Sequence, residues 1–182
     1  TEEISYAEML ENIRIFARYT PEQKEAKTIV FAENSVEWIY SFFSIWQNKG
    51  IAIPVDASST AQDLAYILKD SGSQCIWTSD EHIQVVQEAI SLSGAQVRML
   101  NIDNYENTGI PESGEGAPEP STWSRREEDT AVIIYTSGTT GSPKGVMLTL
   151  GNLMANIRGV SDEVCIFNSE RRALILLPLH HV

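Results

Sequence analysis

The stretch Tyr135-Thr136-Ser137-Gly138-Thr139-Thr140-Gly141-Ser142-Pro143-Lys144-Gly145-Val146 decides how this 182-residue chain is read. Ahead of it, Ala131-Val132-Ile133-Ile134 is a short apolar, β-branched run that predicts a buried strand. Behind it, Met147-Leu148-Thr149 follows Gly145 and predicts a second short strand pairing back, so that the loop joins two strands. A helix is expected from Asn152, with Leu153, Ile157 and Val160 on one face.

A strand that empties into glycines and hydroxyls suits phosphate. Gly138, Gly141 and Gly145 let the backbone approach a ligand closely. Successive N–H groups can then form an anion-binding nest, which makes backbone geometry rather than a helix dipole the main source of binding. Thr136, Ser137, Thr139 and Thr140 add hydroxyl donors, and Lys144 adds a mobile positive charge on a long stem. Pro143 fixes its own φ and biases Ser142 toward extended geometry, which limits the travel of the lysine end. The G-x-x-x-x-G-K-[ST] phosphate loop does not fit, because Gly145 stands where the magnesium-binding hydroxyl belongs. The G-x-S-x-G nucleophile elbow fails too, with Tyr135 in place of its first glycine. Composition alone leaves a plain surface loop between two strands as the alternative.

Outward from this stretch, the chain alternates. Ser5-Tyr6-Ala7-Glu8 is a capping box opening a helix whose face is Leu10, Ile13, Phe16 and Ala17. A strand is expected over Thr28–Ala32. Asn34-Ser35-Val36-Glu37 is a second capping box, opening a helix that ends before Gly50 and packs Trp38, Phe42, Ile45 and Trp46. Further strands are expected over Ile51–Val55, Cys75–Thr78 and Val97–Ile102. The intervening helices start at a cap within Ser58–Thr60 and at Glu81. Strands separated by helical segments predict an α/β fold: a mostly parallel sheet with helices on both faces. Residues 103–129 break the pattern with eight acids against Arg125 and Arg126, half of the chain's net charge of −12, among glycines and prolines. That segment reads as an acidic linker or surface loop. It divides an alternating unit over 1–102 from an incomplete unit over 130–182 that holds strand, loop, helix and strand.

The acidic balance argues against a nucleic-acid surface, which calls for clustered Lys and Arg. Cys75 and Cys165 show no C-x-x-C pattern and read as reduced thiols of a cytoplasmic protein. The N-terminus shows no signal-peptide pattern, and the apolar run from Trp38 to Trp46 is too short to span a bilayer. A longer parent could still touch a membrane. A last strand is expected over Ala173–Leu177, followed by His180 and His181 pointing to opposite faces. His180 reads as a packing residue. No metal site is expected, because the only other histidine is His82 and no ligand spacing appears.

The stretch Tyr135–Val146 closely resembles the phosphate-binding signature of the AMP-forming acyl-CoA synthetase superfamily, which includes luciferases and the adenylation domains of peptide synthetases. Phe31-Ala32-Glu33-Asn34-Ser35-Val36-Glu37-Trp38 resembles the family's early strand-to-helix turn, and Leu177-Pro178-Leu179-His180-His181-Val182 its later acyl-pocket motif. The resemblance implies a two-step reaction: a carboxylate attacks the α-phosphorus of ATP to give an acyl-adenylate and pyrophosphate, and the thiol of coenzyme A then displaces AMP. It places the β- and γ-phosphates in the loop (Thr136, Ser137, Gly138, Thr139, Thr140, Gly141, Lys144 and Gly145). Lys144 would neutralise charge on the departing pyrophosphate, and His181 would stand beside the acyl pocket and the nucleotide. The family pattern points to a long-chain fatty-acid ligase using ATP, Mg2+ and coenzyme A. An aryl-CoA ligase, an acyl-carrier-protein ligase, a peptide-synthetase adenylation domain and a non-catalytic nucleotide-binding module are the alternatives. Leu150 departs from the histidine many members carry. The family's adenine-binding segment, magnesium glutamate, ribose aspartate and C-terminal lysine would lie beyond Val182, so the fragment is expected to be inactive alone.

Overall fold

The computed structural model describes residues 3–108, 125–136, 143–163 and 177–181. The elements in order are α1 (Tyr6–Ala17), β1 (Lys27–Phe31), α2 (Val36–Gln47), β2 (Ile51–Pro54), α3 (Ala61–Ser71), β3 (Cys75–Thr78), α4 (Ile83–Ser93), β4 (Arg98–Asn101), β5 (Thr130–Thr136), β6 (Lys144–Thr149) and α5 (Leu150–Glu163). Short 3-10 turns cover Asp80–His82, Tyr105–Thr108 and Leu179–His181.

The six strands form one sheet in the order β4-β3-β1-β2-β5-β6. Every pairing is parallel except β5 with β6, which is antiparallel. Strands from both sides of the acidic segment therefore share a sheet. Successive side chains of a buried strand face opposite ways, and the two cores follow that alternation. Val30, Trp77, Leu100 and Val132 pack with Ile13 and Phe16 of α1 and with Trp38, Phe42 and Ile45 of α2. Ile29, Ile53, Ile76 and Ile133 pack on the other face with Leu64, Ile67 and Leu68 of α3 and with Val86 and Ala89 of α4. A polar thread runs through the first core: the Trp77 indole N–H donates to Thr20 Oγ1 at 3.2 Å, and Thr20 Oγ1 reaches the Phe16 carbonyl at 3.0 Å.

Capping sets the helix starts. Ser5 with Glu8 and Thr60 with Asp63 form capping boxes, while the box expected over Asn34–Glu37 is corrected: the N-cap of α2 is Ser35, which accepts the Trp38 N–H, because the Asn34 carboxamide is turned to Leu177 and Leu179. Gly72 and Gly94 end α3 and α4 with φ of 66° and 65°, in the left-handed region that suits glycine.

Four expectations shift in detail. Leu10 is half exposed, so the buried face of α1 is Ile13, Phe16 and Ala17. The helix expected from Glu81 starts at Ile83 behind the Asp80–His82 turn. The helix expected from Asn152 starts at Leu150, because Thr149 and Asn152 cap each other: Asn152 N–H donates to Thr149 Oγ1 at 3.1 Å, and Thr149 N–H to Asn152 Oδ1 at 3.0 Å. Ile157 and Val160, expected on a packed face, are exposed. The acidic segment is structured at its described ends. Asp103 accepts the Asp80 N–H at 2.7 Å, and Arg125 donates to the Gly50 carbonyl. Cys75 is buried, and Cys165 lies outside the described residues. Among the described residues no helix is long and apolar enough to cross a membrane.

Candidate active site

Strand β5 leaves the core along its length: Ala131, Val132 and Ile133 are buried, Ile134 and Tyr135 half-buried, and Thr136 exposed. The antiparallel ladder with β6 sets Tyr135 opposite Gly145 and Thr136 opposite Lys144. The candidate loop therefore joins two strand ends, as expected. Its described members are Thr136, Lys144 and Gly145. Ser137, Gly138, Thr139, Thr140 and Gly141 lie outside the described residues. Lys144, read as a loop residue, is the first residue of β6; its side chain is exposed across from the Thr136 hydroxyl.

The requirement for glycine at 145 is steric. A Cβ there would stand 2.9 Å from Ile133 Cγ2 and 3.2 Å from Tyr135 Cζ, so the tyrosine ring lies over the position. Tyr135 is fixed in turn by Asp70 on α3, donating its hydroxyl to Oδ2 at 2.6 Å. Burial, and then that bond, push the phenol above its ordinary range, so the ring stays a neutral donor. Gly151 plays a like part at the start of α5, where a Cβ would meet the Glu127 carbonyl at 3.0 Å. Gly151 N–H donates to that carbonyl at 2.8 Å and Leu150 N–H to Asp129 O at 3.0 Å, so the first turn of α5 rests on the end of the acidic segment.

A cavity of about 510 Å³ opens beside the loop, at the carboxyl ends of β2 and β5, where α/β sheets hold ligands. Val55, Ile67 and Ile134 give it apolar walls, and Asp56, Asp63 and Thr136 give it polar ones. Ser58 donates both its N–H and its hydroxyl to Asp56 Oδ1 at 2.8 Å, which fixes the carboxylate at the turn after β2. His180 closes one side, its Nε2 3.6 Å from Asp56 Oδ2 and its side chain 13% exposed. His180, read as a packing residue, is mostly covered and also walls this cavity. Leu177 is a bend and Leu179–His181 a 3-10 turn, so strand alternation does not govern the two histidines. Residues 173–176 of the expected last strand, and the side chain of His181, lie outside the described residues.

Two other features lie elsewhere. A cavity of about 350 Å³ lined by Lys24, Lys49, Arg125 and Arg126 sits at the amino ends of the strands, away from the loop. Glu33, Glu81 and His82 bring three ligand-type atoms within 4.8 Å of one another at the ends of β1 and β3. His82 Nε2 lies 3.2 Å from Glu33 Oε2 there, and its ring packs against the Phe31 ring. Sequence reasoning missed Asp56, Asp63 and Asp70. Asp56 and Asp63 carry only turn and cap signals, and Asp70 carries none.

The fold matches solved structures. One is the o-succinylbenzoate–coenzyme A synthetase of Bacillus subtilis in complex with AMP: TM-score 0.80, 22% identity, 98% of this chain and 44% of that one. Another is ATP-bound MatB of Rhodopseudomonas palustris: TM-score 0.71, 25% identity, 91% of this chain and 33% of that one. Among curated relatives, the mitochondrial malonate–CoA ligase of Homo sapiens is 30% identical over 159 residues, covering 87% of this chain and 27% of the relative. A long-chain-fatty-acid–CoA ligase of Mycobacterium tuberculosis is 29% identical over 168 residues, covering 86% and 28%. The chain thus spans little more than a quarter of the length of these curated relatives. With residues 1–182 all matching the family described as AMP-binding enzyme, the chain belongs to that family.

Proposed function

We propose that the complete protein is an AMP-forming acyl-CoA ligase, which activates a carboxylic acid as its acyl-adenylate with ATP and passes the acyl group to coenzyme A. The observation that carries the reading is the β5–β6 hairpin, which holds Thr136 and Lys144 opposite each other at the mouth of the glycine- and hydroxyl-rich loop. In the first step the carboxylate oxygen forms a bond to the α-phosphorus of ATP while the bond to the β-phosphate bridge breaks and pyrophosphate leaves. The chain's own contribution is positioning and charge. Loop amides and hydroxyls hold the β- and γ-phosphates, and Lys144 offsets the charge that grows on the departing pyrophosphate. In the second step the coenzyme A sulfur attacks the acyl carbon and AMP departs. Magnesium enters the proposal only as the counter-ion of ATP.

For the acid we propose a long-chain fatty acid. The relatives named above include both a malonate and a fatty-acid ligase. Among the described residues, the cavity beside the loop has Asp56 and Asp63 on its walls and neither Lys nor Arg, which disfavours a second carboxylate there. The test is ATP–pyrophosphate exchange by the complete enzyme with palmitate, malonate, oxalate and an aryl acid. Palmitate should give the highest kcat/KM. A preference for malonate or oxalate overturns the fatty-acid reading, and exchange with no acid at all overturns the ligase reading.

A further inference from the structure

Three consecutive side chains after β1 hold three different elements. Glu33 accepts the Ser79 hydroxyl at 2.8 Å and pairs with His82, beyond β3. Ser35 accepts the Trp38 N–H at 3.0 Å and caps α2. Asn34, between them, reaches across the molecule: its Nδ2–H donates to the Leu177 carbonyl at 3.0 Å, and its Oδ1 accepts the Leu179 N–H at 2.7 Å. These partners are 143 and 145 residues away in sequence. One donor and one acceptor of a single carboxamide are both used, which fixes the amide orientation, since the flipped group would face donor with donor. The turn it grips also brings His180 Nε2 to 3.6 Å from Asp56 Oδ2. That histidine is a wall of the cavity that also touches Thr136 and Pro143, the two ends of the phosphate-binding loop.

We propose that Asn34 is a positioning residue: it docks the Leu177–His181 turn so that His180 closes the cavity beside the loop. The enzymatic part of the test rests on the ligase reading above; the spectroscopic part does not. A ligand that needs the docked turn binds with an affinity reduced by the undocked fraction, while turnover in the assembled site is unchanged. Loosening the clamp should therefore raise KM and spare kcat. Loss of folded enzyme has the opposite signature, a lower apparent kcat at constant KM.

The experiment compares Asn34→Ala, Asn34→Asp, His180→Ala and the Asn34→Ala/His180→Ala pair in a complete enzyme carrying this chain, by ATP–pyrophosphate exchange. With two hydrogen bonds lost, Asn34→Ala should raise KM for the acid substrate by at least about fivefold with kcat changed less than about twofold. Asn34→Asp keeps the acceptor for Leu179 N–H and loses the donor to Leu177, so it should fall between. The double variant should be no worse than the more affected single one, because both act through the same turn. Unchanged KM, a fall in kcat alone, or full additivity overturns the proposal. Hydrogen exchange at the Leu179 amide gives a reading free of catalysis: at least about fivefold faster in Asn34→Ala supports the clamp, and an unchanged rate overturns it. If the wild type supports no exchange of pyrophosphate, the ligase reading fails and the Leu179 amide alone decides for or against Asn34.

Discussion

Replacing Gly145 with alanine tests whether the Tyr135 ring really governs the mouth of the loop. The added methyl would stand 2.9 Å from Ile133 Cγ2, 3.2 Å from Tyr135 Cζ and 3.4 Å from its hydroxyl oxygen. Neither neighbour yields freely. Ile133 is 6% exposed and β-branched, so moving its methyl means leaving a preferred χ1, at roughly 0.5–1.5 kcal/mol. Tyr135 can swing away only by stretching its 2.6 Å bond to Asp70, and a bond to a charged acceptor contributes about 1.5–3 kcal/mol before allowance for its partial exposure. Against this, alanine in a strand is favoured over glycine by about 0.5–1 kcal/mol through chain entropy. The balance is a loss of about 1–2 kcal/mol, or a fall in Tm of about 2–8 °C for a domain of this size. Thermal unfolding followed by circular dichroism measures it. In a Tyr135→Phe background, where the hydroxyl contact and the Asp70 tether are both gone, the loss should shrink by about half, a coupling expected only of residues in contact. A Gly145→Ala chain as stable as the parent, or the same loss in both backgrounds, refutes the steric argument.

Lys144→Ala should lower ATP–pyrophosphate exchange by the complete enzyme about 100-fold while stability stays within about 0.5 kcal/mol, because Lys144 is exposed; equal exchange rates would remove Lys144 from the proposed reaction. Thr20→Val leaves the Trp77 indole N–H without its acceptor in the core and should cost about 1–3 kcal/mol, read as a lower urea midpoint. Burial pushes the Cys75 thiol up to about 12 from an ordinary 9.0. A raised value means the contribution is complete below about pH 9 and is lost as pH rises toward 12. Urea midpoints at about pH 8 and about pH 10.5 should therefore fall more in the wild type than in Cys75→Ala.

The alternation of strand and helix, the caps at Ser5 and within Ser58–Thr60, and the strand-loop-strand order around Lys144 were all legible in the sequence, because each is written within a few neighbouring residues; the cap of α2 was read one residue early, at Asn34 instead of Ser35. The walls of the site were not. Tyr135 meets Asp70 from 65 residues away, and Asn34 meets Leu177 from 143. Local pattern carries no sign of such pairs, since either partner alone reads as an ordinary polar surface residue. The setting of His180 was hidden for a related reason: strand alternation does not apply to a segment that ends in a tight turn, and that turn is bonded to Asn34 far upstream. Ile157 and Val160 show the converse. Helical periodicity identifies an apolar stripe and does not say what covers it.

The sheet order has a consequence for how such a chain assembles. β1 to β4 find their neighbours within a few tens of residues, but the β5–β6 hairpin must travel back past them to reach β2, where Trp46 waits to donate its indole N–H to Ala131 from 85 positions away. Closing a longer loop comes later in a search governed by chain entropy. During synthesis, then, the β5–β6 hairpin docks after β1 to β4, and until it does the flank of β2 is a bare hydrogen-bonding edge, open to any stray strand that passes.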